Sequence, residues 1–272
     1  MTRYQTAAVT RELATKLTER DWRVLRFVAD LHFVAGGQLT RLCFADGDNP
    51  AANGRAARRA LLRLTRLGVL ERLPRPVGGV HAGSAGFVYY LGLAGQRLAS
   101  ARGWQPERRG RRSLTPGTLF LRHSLQVAEL HVRLIEGDRS RSIELLKLDS
   151  EPSCWRSYEM ANGQRSTLKP DSYVRLGVGA YEDSYLIEID RGTEGSRALE
   201  RQLRQYVAYH ASGVEQAAHG VFPRSLWLST TAERVGVIEG CVGRLPAPAG
   251  ELFQVAEFGE VMQAITEGNN AI

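Results

Sequence analysis

The segment AANGRAARRALLRLTRLG, residues 51–68, constrains the fold more than any other, because a helical pattern ends there and a strand pattern follows at once. Its apolar face consists of Leu61, Leu62, Leu64 and Leu67. Gly68 is a typical stop at the end of a helix. The next residues, VLERLPRP, favour a strand. The chain therefore places an arginine-rich amphipathic helix directly before a strand.

Further elements on both sides complete a recognisable order. Thr18 can cap ERDWRVLRFVADLHFV, whose apolar residues recur at steps of three and four. After Gly36-Gly37, QLTRLCF predicts a short second helix, and the 51–68 helix is the third. A returning strand, FVYYLG, and a fourth helix, LAGQRLASARG, follow the loop after VLERLPRP. The sequence thus predicts three helices, a hairpin and a closing helix over residues 1–103.

Charge separates the two halves of the chain. Residues 1–117 contain 20 Lys and Arg against 8 Asp and Glu, a net charge of +12, and the remainder carries −5. Phosphate neutralisation by Lys and Arg provides most sequence-independent affinity for DNA. The asymmetry favours a first domain that binds a polyanion, although a solvated arginine-rich surface is the alternative.

The element order and the phrase LLRLTRLGVLERL resemble winged helix-turn-helix DNA-binding domains over about residues 15–103. That resemblance implies that the third helix enters the major groove and that the loop between the strands touches the neighbouring backbone. The implied DNA-binding residues are Arg55, Arg58, Arg59 and Arg63 on the helix, with Arg75 and His81 near the wing. The same fold also mediates protein contacts, which remains the alternative.

Residues 104–117 are predicted to form a basic linker. Prolines and glycines surround four arginines, namely Arg108, Arg109, Arg111 and Arg112. These side chains can provide a second contact to phosphate, or the segment can be a solvated tether without a partner.

The second domain is predicted over residues 118–272 as a mixed α/β sheet flanked by helices. The helix TLFLRHSLQVAELHVRLIEG precedes three strands, SIELLKL, LKPDSYVRL and DSYLIEID. A helix, GSRALERQLRQYVAYHASG, and a strand, RSLWLST, come next. ERVGVIEGCVG and LFQVAEF add a helix and a strand, so an α/β or α+β sandwich is expected.

Carboxylates fall at the ends of two of these strands. Alternation places Glu188 and Asp190 on one side, and a hairpin through GVGAYED brings Asp171 close to them. This layout resembles the PD-(D/E)xK nuclease core over about residues 118–230, with Pro170-Asp171 as the first motif and Glu188 as the second acid. The resemblance implies Mg²⁺ or Mn²⁺ held by Asp171, Glu188 and Asp190, with Glu129 offered by the first helix.

One position departs from that nuclease pattern. The lysine that normally follows the second acid by two residues is replaced by Asp190. Lys169, Arg191, Arg201 and Arg204 are the available substitutes for its positive charge. Gln202 and Tyr206 resemble the polar helix motif that follows the third strand in many members. The carboxylates can alternatively be structural, capping loops or pairing with arginines.

Across both domains, the PD strand, EIDRGTE at 188–194 and QLRQYVAY resemble the replication-relaxation family of plasmids and integrative elements. This resemblance implies duplex DNA as a partner, in replication or transfer, beside a motor ATPase or replication protein. Two functions stay open: a metal-dependent DNA nuclease or nickase, and a DNA-binding regulator or accessory factor whose nuclease-like domain serves protein contacts or a homodimer.

The remaining features indicate a cytoplasmic protein. No stretch approaches the roughly 18 to 20 uncharged apolar residues that a membrane helix needs, and the N-terminus lacks an apolar signal region. The three cysteines, Cys43, Cys154 and Cys241, are far apart and without a CxxC pair. They are therefore predicted to be small buried hydrophobic residues rather than zinc ligands.

Overall fold

A computed structural model describes residues 7–45, 47, 49–73, 86–104, 116–160 and 162–267. The chain divides into two compact units, unit 1 from Met1 to Val132 and unit 2 from Arg133 to Ile272. No helix among these described residues is long and apolar enough to cross a membrane. Cys43, Cys154 and Cys241 are free thiols and fully buried, so their predicted burial is confirmed.

Unit 1 contains the predicted helices and hairpin in the predicted order. Its elements are α1 (Ala7–Thr15), α2 (Glu19–Leu31), β1 (Val34–Ala35), α3 (Gly36–Cys43), α4 (Pro50–Arg66), β2 (Leu70–Arg72), β3 (Val88–Leu91), α5 (Leu93–Ala101) and the first part of α6 (Thr118–Arg139). The strands form an antiparallel sheet in the order β1-β3-β2. The two-residue strand β1 and the helix α1 are additions to the prediction.

Local signals fix the helix ends in unit 1. The Thr18 side chain accepts the Asp21 amide, and the Asp21 carboxylate accepts the Thr18 amide, which together form the capping box of α2. Gly68 follows α4 with φ of +68°, a conformation that favours glycine. At Gly95 in α5, an added Cβ would lie 2.1 Å from the Val69 carbonyl oxygen, so only glycine permits this approach to the hairpin.

The N-terminal part of α6 packs within unit 1. Leu121 and Leu125 lie against a buried cluster of Phe33, Leu73 and Val88. A domain boundary at residue 118, as the sequence suggested, would separate these side chains from their core. The compact units instead divide inside α6, between Val132 and Arg133.

Unit 2 contains the last residues of α6 and a mixed sheet. Its further elements are β4 (Glu144–Ser150), β5 (Arg156–Glu159), β6 (Arg165–Leu168), β7 (Ser172–Val178), β8 (Tyr181–Asp190), α7 (Ser196–Ala211), α8 (Val214–His219), β9 (Arg224–Ser229), α9 (Ala232–Val242), β10 (Phe253–Glu257) and α10 (Val261–Glu267). The five-stranded sheet has the order β10-β9-β8-β7-β4, and β5 pairs with β6 in a separate hairpin. This is the predicted mixed α/β class.

Strand β8 lies at the centre of the five-stranded sheet, between an antiparallel and a parallel neighbour. It pairs antiparallel with β7 through the predicted hairpin and parallel with β9. The edge strand β4 pairs antiparallel with β7, with a register shift between Leu145 and Lys147. The sheet therefore brings the start of β7 and the end of β8, where the predicted carboxylates lie, to the same place.

Helices cover both faces of this sheet. On one face, α7 and α9 enclose a buried cluster that includes Leu186, Leu203 and Trp227. On the other face, the Tyr185 hydroxyl donates to the Ile265 carbonyl oxygen of α10 at 3.3 Å. Because alternate residues of β8 point to opposite faces, Leu186 and Glu188 both face α7.

Candidate functional site

Asp171 and Glu188 form a pair of buried carboxylates on adjacent strands. The register of Ser172 with Ile187 continues one residue further, so Asp171 lies opposite Glu188. The Asp171 amide donates to the Ile187 carbonyl oxygen at 3.0 Å, and its carboxylate accepts the Ile189 amide at 2.7 Å. Only 7% of Asp171 and 6% of Glu188 is exposed, so two acidic groups share a poorly hydrated environment.

Helix α7 supplies the hydrogen-bond donors to Glu188. The Tyr206 hydroxyl donates to Glu188 Oε1 at 2.6 Å, and the Gln202 side chain is a second partner. Burial, followed by the charge of Asp171, raises the pKa of Glu188 well above its usual value despite these hydrogen bonds. The ionised pair is therefore costly in the absence of a cation.

A polar cavity of about 480 Å³ opens beside this pair. Glu188 and Gln202 lie at its inner side, and the exposed Lys169 and Arg201 lie at its rim. The remaining lining residues are Thr167, Leu168, Glu194, Ala198 and Gln205. The Lys169 ammonium lies 4.5 Å from the ring centre of Trp155. The buried acid Glu188 and the exposed cations Lys169 and Arg201 thus line one cavity.

Asp190 does not join this carboxylate pair. Its two oxygens accept Arg234 Nε at 2.9 Å and Nη2 at 2.7 Å, a bidentate ion pair with α9. The Gly192 amide also donates to Asp190. Alternation puts Asp190 on the same sheet face as Glu188, as predicted, but its partner is an arginine. The expected convergence of three carboxylates is replaced by a pair and a separate ion pair.

The donor set suits a divalent cation only in part. Asp171 and Glu188 offer carboxylate oxygens, the ligands that Mg²⁺ and Mn²⁺ prefer. The described residues contain no group of three or more His, Cys, Asp or Glu side chains arranged for a metal ion. Asp171 and Glu188 could thus hold a cation as two ligands, while Asp190 is committed to Arg234.

Glu129 makes its contacts inside unit 1. Its carboxylate accepts Arg41 Nη1 at 2.7 Å and Gln38 Nε2 at 3.3 Å. Gln38 also donates to the Leu125 carbonyl oxygen at 2.8 Å. These bonds join α3 to α6, so Glu129 has a structural role in the described contacts; its predicted role in catalysis stays a prediction.

Three of the arginines predicted to contact DNA lie on the solvent face of α4. Arg55, Arg58 and Arg59 are exposed, and Ala57, Leu61 and Leu64 form the opposite, buried face. Within the described part of the chain these three arginines form no ion pair. Leu62 and Leu67, predicted for the core face, are exposed and half-buried respectively.

Arg63 differs from its neighbours on α4. Its guanidinium bonds both oxygens of Asp21, which is 1% exposed. Arg63 thus joins α4 to α2, and its positive charge is already offset. The other predicted contacts lie outside the described residues: Arg75, His81, Arg108, Arg109, Arg111 and Arg112.

Three site residues were not predicted from the sequence. Arg234, the partner of Asp190, is 44 positions away along the chain, and no local pattern connects them. Trp155 precedes the β5–β6 hairpin and lies against Lys169. Glu194 follows β8 and lines the cavity. The EIDRGTE phrase contains Glu194, so that phrase was the available signal for it.

The geometry defines a class: a two-unit α/β protein with a basic helical unit and a second unit containing buried paired acids beside a polar cavity. The family model described as replication-relaxation matches residues 25–225, more than half of the chain. The protein belongs to the replication-relaxation family, as the sequence resemblance predicted. No curated protein and no solved structure matches the chain. Membership suggests a role in replication or relaxation of plasmid or mobile-element DNA and implies interaction with DNA.

Proposed function

We propose that this protein binds duplex DNA during replication or transfer of a plasmid or integrative element and carries a divalent-cation-dependent site for DNA phosphodiester cleavage. The observation that carries the proposal is the buried Asp171–Glu188 pair beside a cavity whose rim holds Lys169 and Arg201. Two neighbouring buried carboxylates repel each other when both are ionised, so their placement side by side favours a functional role.

Unit 1 is the proposed DNA-binding part, as a winged helix-turn-helix. Support comes from its order of elements, its three-stranded sheet and the exposed Arg55, Arg58 and Arg59 on α4. Arginine suits this role because its planar group can donate two hydrogen bonds to a phosphate or to guanine. In this proposal α4 lies in the major groove of the duplex.

Five residues in and next to the cavity have a proposed role in unit 2. Asp171 and Glu188 hold Mg²⁺ or Mn²⁺, and the Tyr206 hydroxyl fixes the orientation of Glu188. Such a cation activates water and offsets negative charge on the phosphate. Lys169 and Arg201 bind the phosphate from the rim, which supplies the positive charge that Asp190 cannot.

A second function is favoured by the environment of Asp190. This residue occupies the position where the nuclease pattern has lysine, and Arg234 neutralises it in a bidentate ion pair. An arrangement of this kind suits a DNA-binding regulator or accessory factor. Its nuclease-like unit would then contact a motor ATPase, a replication protein or a second copy of the chain.

The test compares cation binding with cleavage in the full-length protein. Thermal unfolding is followed with and without Mn²⁺, and supercoiled plasmid is assayed for nicking, for wild type, Asp171→Asn and Glu188→Gln. Glu182→Gln is the matched control, because Glu182 lies at the exposed end of the same strand, paired with Arg175. We expect stabilisation by Mn²⁺ and nicking in wild type and in the control only.

The outcomes separate the two functions. Stabilisation by Mn²⁺ that requires Asp171 and Glu188, without nicking, supports the accessory factor. Equal behaviour of wild type, Asp171→Asn and Glu188→Gln in both assays would exclude a cation site at this pair.

A further inference from the structure

Unit 1 has a second cluster of basic residues, separate from the arginines of α4, and it contains two tryptophans. Trp22 and Arg26 lie one turn apart on α2, and Arg102 and Trp104 follow the end of α5. We call these four residues the tryptophan–arginine surface. This surface lies outside the site of the proposed function.

The four side chains stack in a defined arrangement. The rings of Trp22 and Trp104 meet edge to face, with centres 6.0 Å apart. The Arg102 guanidinium carbon lies 4.1 Å from the centre of the Trp22 ring, and that of Arg26 lies 5.1 Å from the centre of Trp104. Each arginine is thus held against an aromatic face.

Solvent can reach this stack and the charges in it. Arg102 is exposed, both tryptophans are half-buried, and the Arg26 side chain is 49% exposed. Arg26 pairs with Asp30 on its own helix, whereas Arg102 forms no ion pair within the described residues. The surface therefore has a net positive charge that its own acids do not cancel.

A stacked guanidinium remains able to bind an anion. Contact through its flat face leaves the N–H groups along its edge free to donate hydrogen bonds in the plane. The stack also restricts the side chain before any ligand arrives, so less conformational freedom is lost on binding. A diester phosphate, which accepts hydrogen bonds along such an edge, is the matching ligand.

We infer that the tryptophan–arginine surface is a second phosphate-binding site for the DNA backbone, acting beside α4. The inference rests on the proposed binding of duplex DNA by unit 1. The ion pair between Arg63 and Asp21 joins α4 to the turn of α2 that carries Trp22, so the two surfaces are linked by a direct contact. Contacts at this site bind backbone and do not read bases.

The test measures the salt dependence of DNA binding by the full-length protein. Fluorescence anisotropy with a mixed-sequence duplex gives affinity over a series of salt concentrations for wild type, Arg26→Gln, Arg102→Gln and the double variant. Arg11→Gln is the matched control. Arg11 is exposed on α1 and is not stacked on a ring in this surface, so the substitution removes one positive charge elsewhere in unit 1. Trp104→Leu keeps both arginines but removes a stacking face.

Each arginine that contacts phosphate contributes about 0.9 to the slope of log affinity against log salt. We expect Arg102→Gln to lower that slope by about this amount, equally on unrelated sequences. The double variant should lower it further by a smaller amount, because Asp30 already offsets part of the charge of Arg26. Arg11→Gln should leave it near the wild-type value. Trp104→Leu should weaken binding by roughly threefold to tenfold with little change in slope, because the arginines lose their prior order.

Two results would overturn the inference, and they differ. If wild type binds with a steep salt dependence and the double variant matches it, the surface is structural and the proposed function stands. If wild type shows no salt-dependent binding at all, the proposed DNA-binding role fails, and this site fails with it.

Discussion

Asp21 in unit 1 and Glu188 in unit 2 are both buried acids, but their surroundings are opposite. Asp21 accepts the Arg63 guanidinium and the Thr18 amide. Glu188 accepts the neutral Tyr206 hydroxyl and lies opposite another acid, Asp171. One carboxylate has a cation as its main partner, whereas the other has a carboxylate as its neighbour.

The contrast teaches how to separate structural from functional buried charge. A buried acid that caps a helix and meets an arginine is explained by the fold itself. A buried acid whose neighbour repels it is not, so its cause must be sought in a ligand. Stability measurements on variants of these acids and their partners test this distinction.

Replacement of Asp21 by alanine should cause the largest loss of stability. It removes the capping box of α2 and the partner of Arg63, and we expect the free energy of unfolding to fall by about 2–3 kcal/mol. Asp30→Ala on the same helix is the control, because its partner Arg26 is well exposed, and it should cost less than about 0.5 kcal/mol. Denaturant unfolding measures both losses. Equal losses for the two variants would show that the contacts of Asp21 do not stabilise the fold.

Arg234→Ala should have the next largest effect. The side chains of Arg234 and Asp190 are only 14% and 11% exposed, so Asp190 would be left nearly buried without its partner. A loss of about 1–2 kcal/mol is expected. Arg244→Ala is the control, because it breaks an ion pair with Glu200 in which Arg244 is 56% exposed and screened by solvent, so its effect should be clearly smaller. A loss no greater than that of the control would mean that Asp190 is hydrated.

Glu188→Gln should instead stabilise the protein when divalent cations are chelated. The pKa of Glu188 is raised in the folded state, so the folded protein holds that proton more tightly than the unfolded chain does. The stability that this group contributes is fully present below its unfolded-state pKa of 4.5, and it is lost as pH rises through the higher pKa of the folded state.

Glutamine cannot ionise, so Glu188→Gln avoids this loss of stability at neutral pH. We expect a gain of about 1 kcal/mol at neutral pH, shrinking as the pH falls below 4.5. Denaturant unfolding in a chelator across a pH series measures it, with Glu182→Gln as control. A destabilised Glu188→Gln at neutral pH would place Glu188 with Asp21 among the structural acids.

Combined replacement of Arg55, Arg58 and Arg59 by glutamine should change stability least. These side chains are exposed and unpaired within the described residues, so the free energy of unfolding should stay within about 0.5 kcal/mol. DNA affinity should fall, and its salt slope should drop by about 0.9 for each arginine that binds phosphate in the wild type. Unchanged anisotropy titrations would show that the exposed face of α4 does not bind DNA.

The helices of unit 1 were predictable because their signals are local. Thr18 forms the predicted cap of α2, and Gly68 ends α4 as expected. The β5–β6 hairpin was not predicted. Of its eight strand residues only Tyr158 and Leu168 are buried, so the alternation that signals a strand is nearly absent.

The candidate site was predictable only as far as strand pairing reaches. The turn between β7 and β8 fixes a register that brings Asp171 next to Glu188, and both positions follow from adjacent sequence. The partner of Asp190 depends on where α9 packs, and that of Glu129 on where α3 meets α6. Such partners depend on tertiary packing between distant segments, which a single sequence does not specify.

The edge strand β4 has a consequence for self-association. An exposed edge is a template for pairing with another chain. Here the register shift between Leu145 and Lys147 bends the ladder, and Glu144, Lys147 and Asp149 put charges of both signs along the strand. A second β4 laid against it would meet a mismatched ladder. Continuous sheets built across this edge are disfavoured, so the protein can reach high local concentration with little tendency to polymerise through β4.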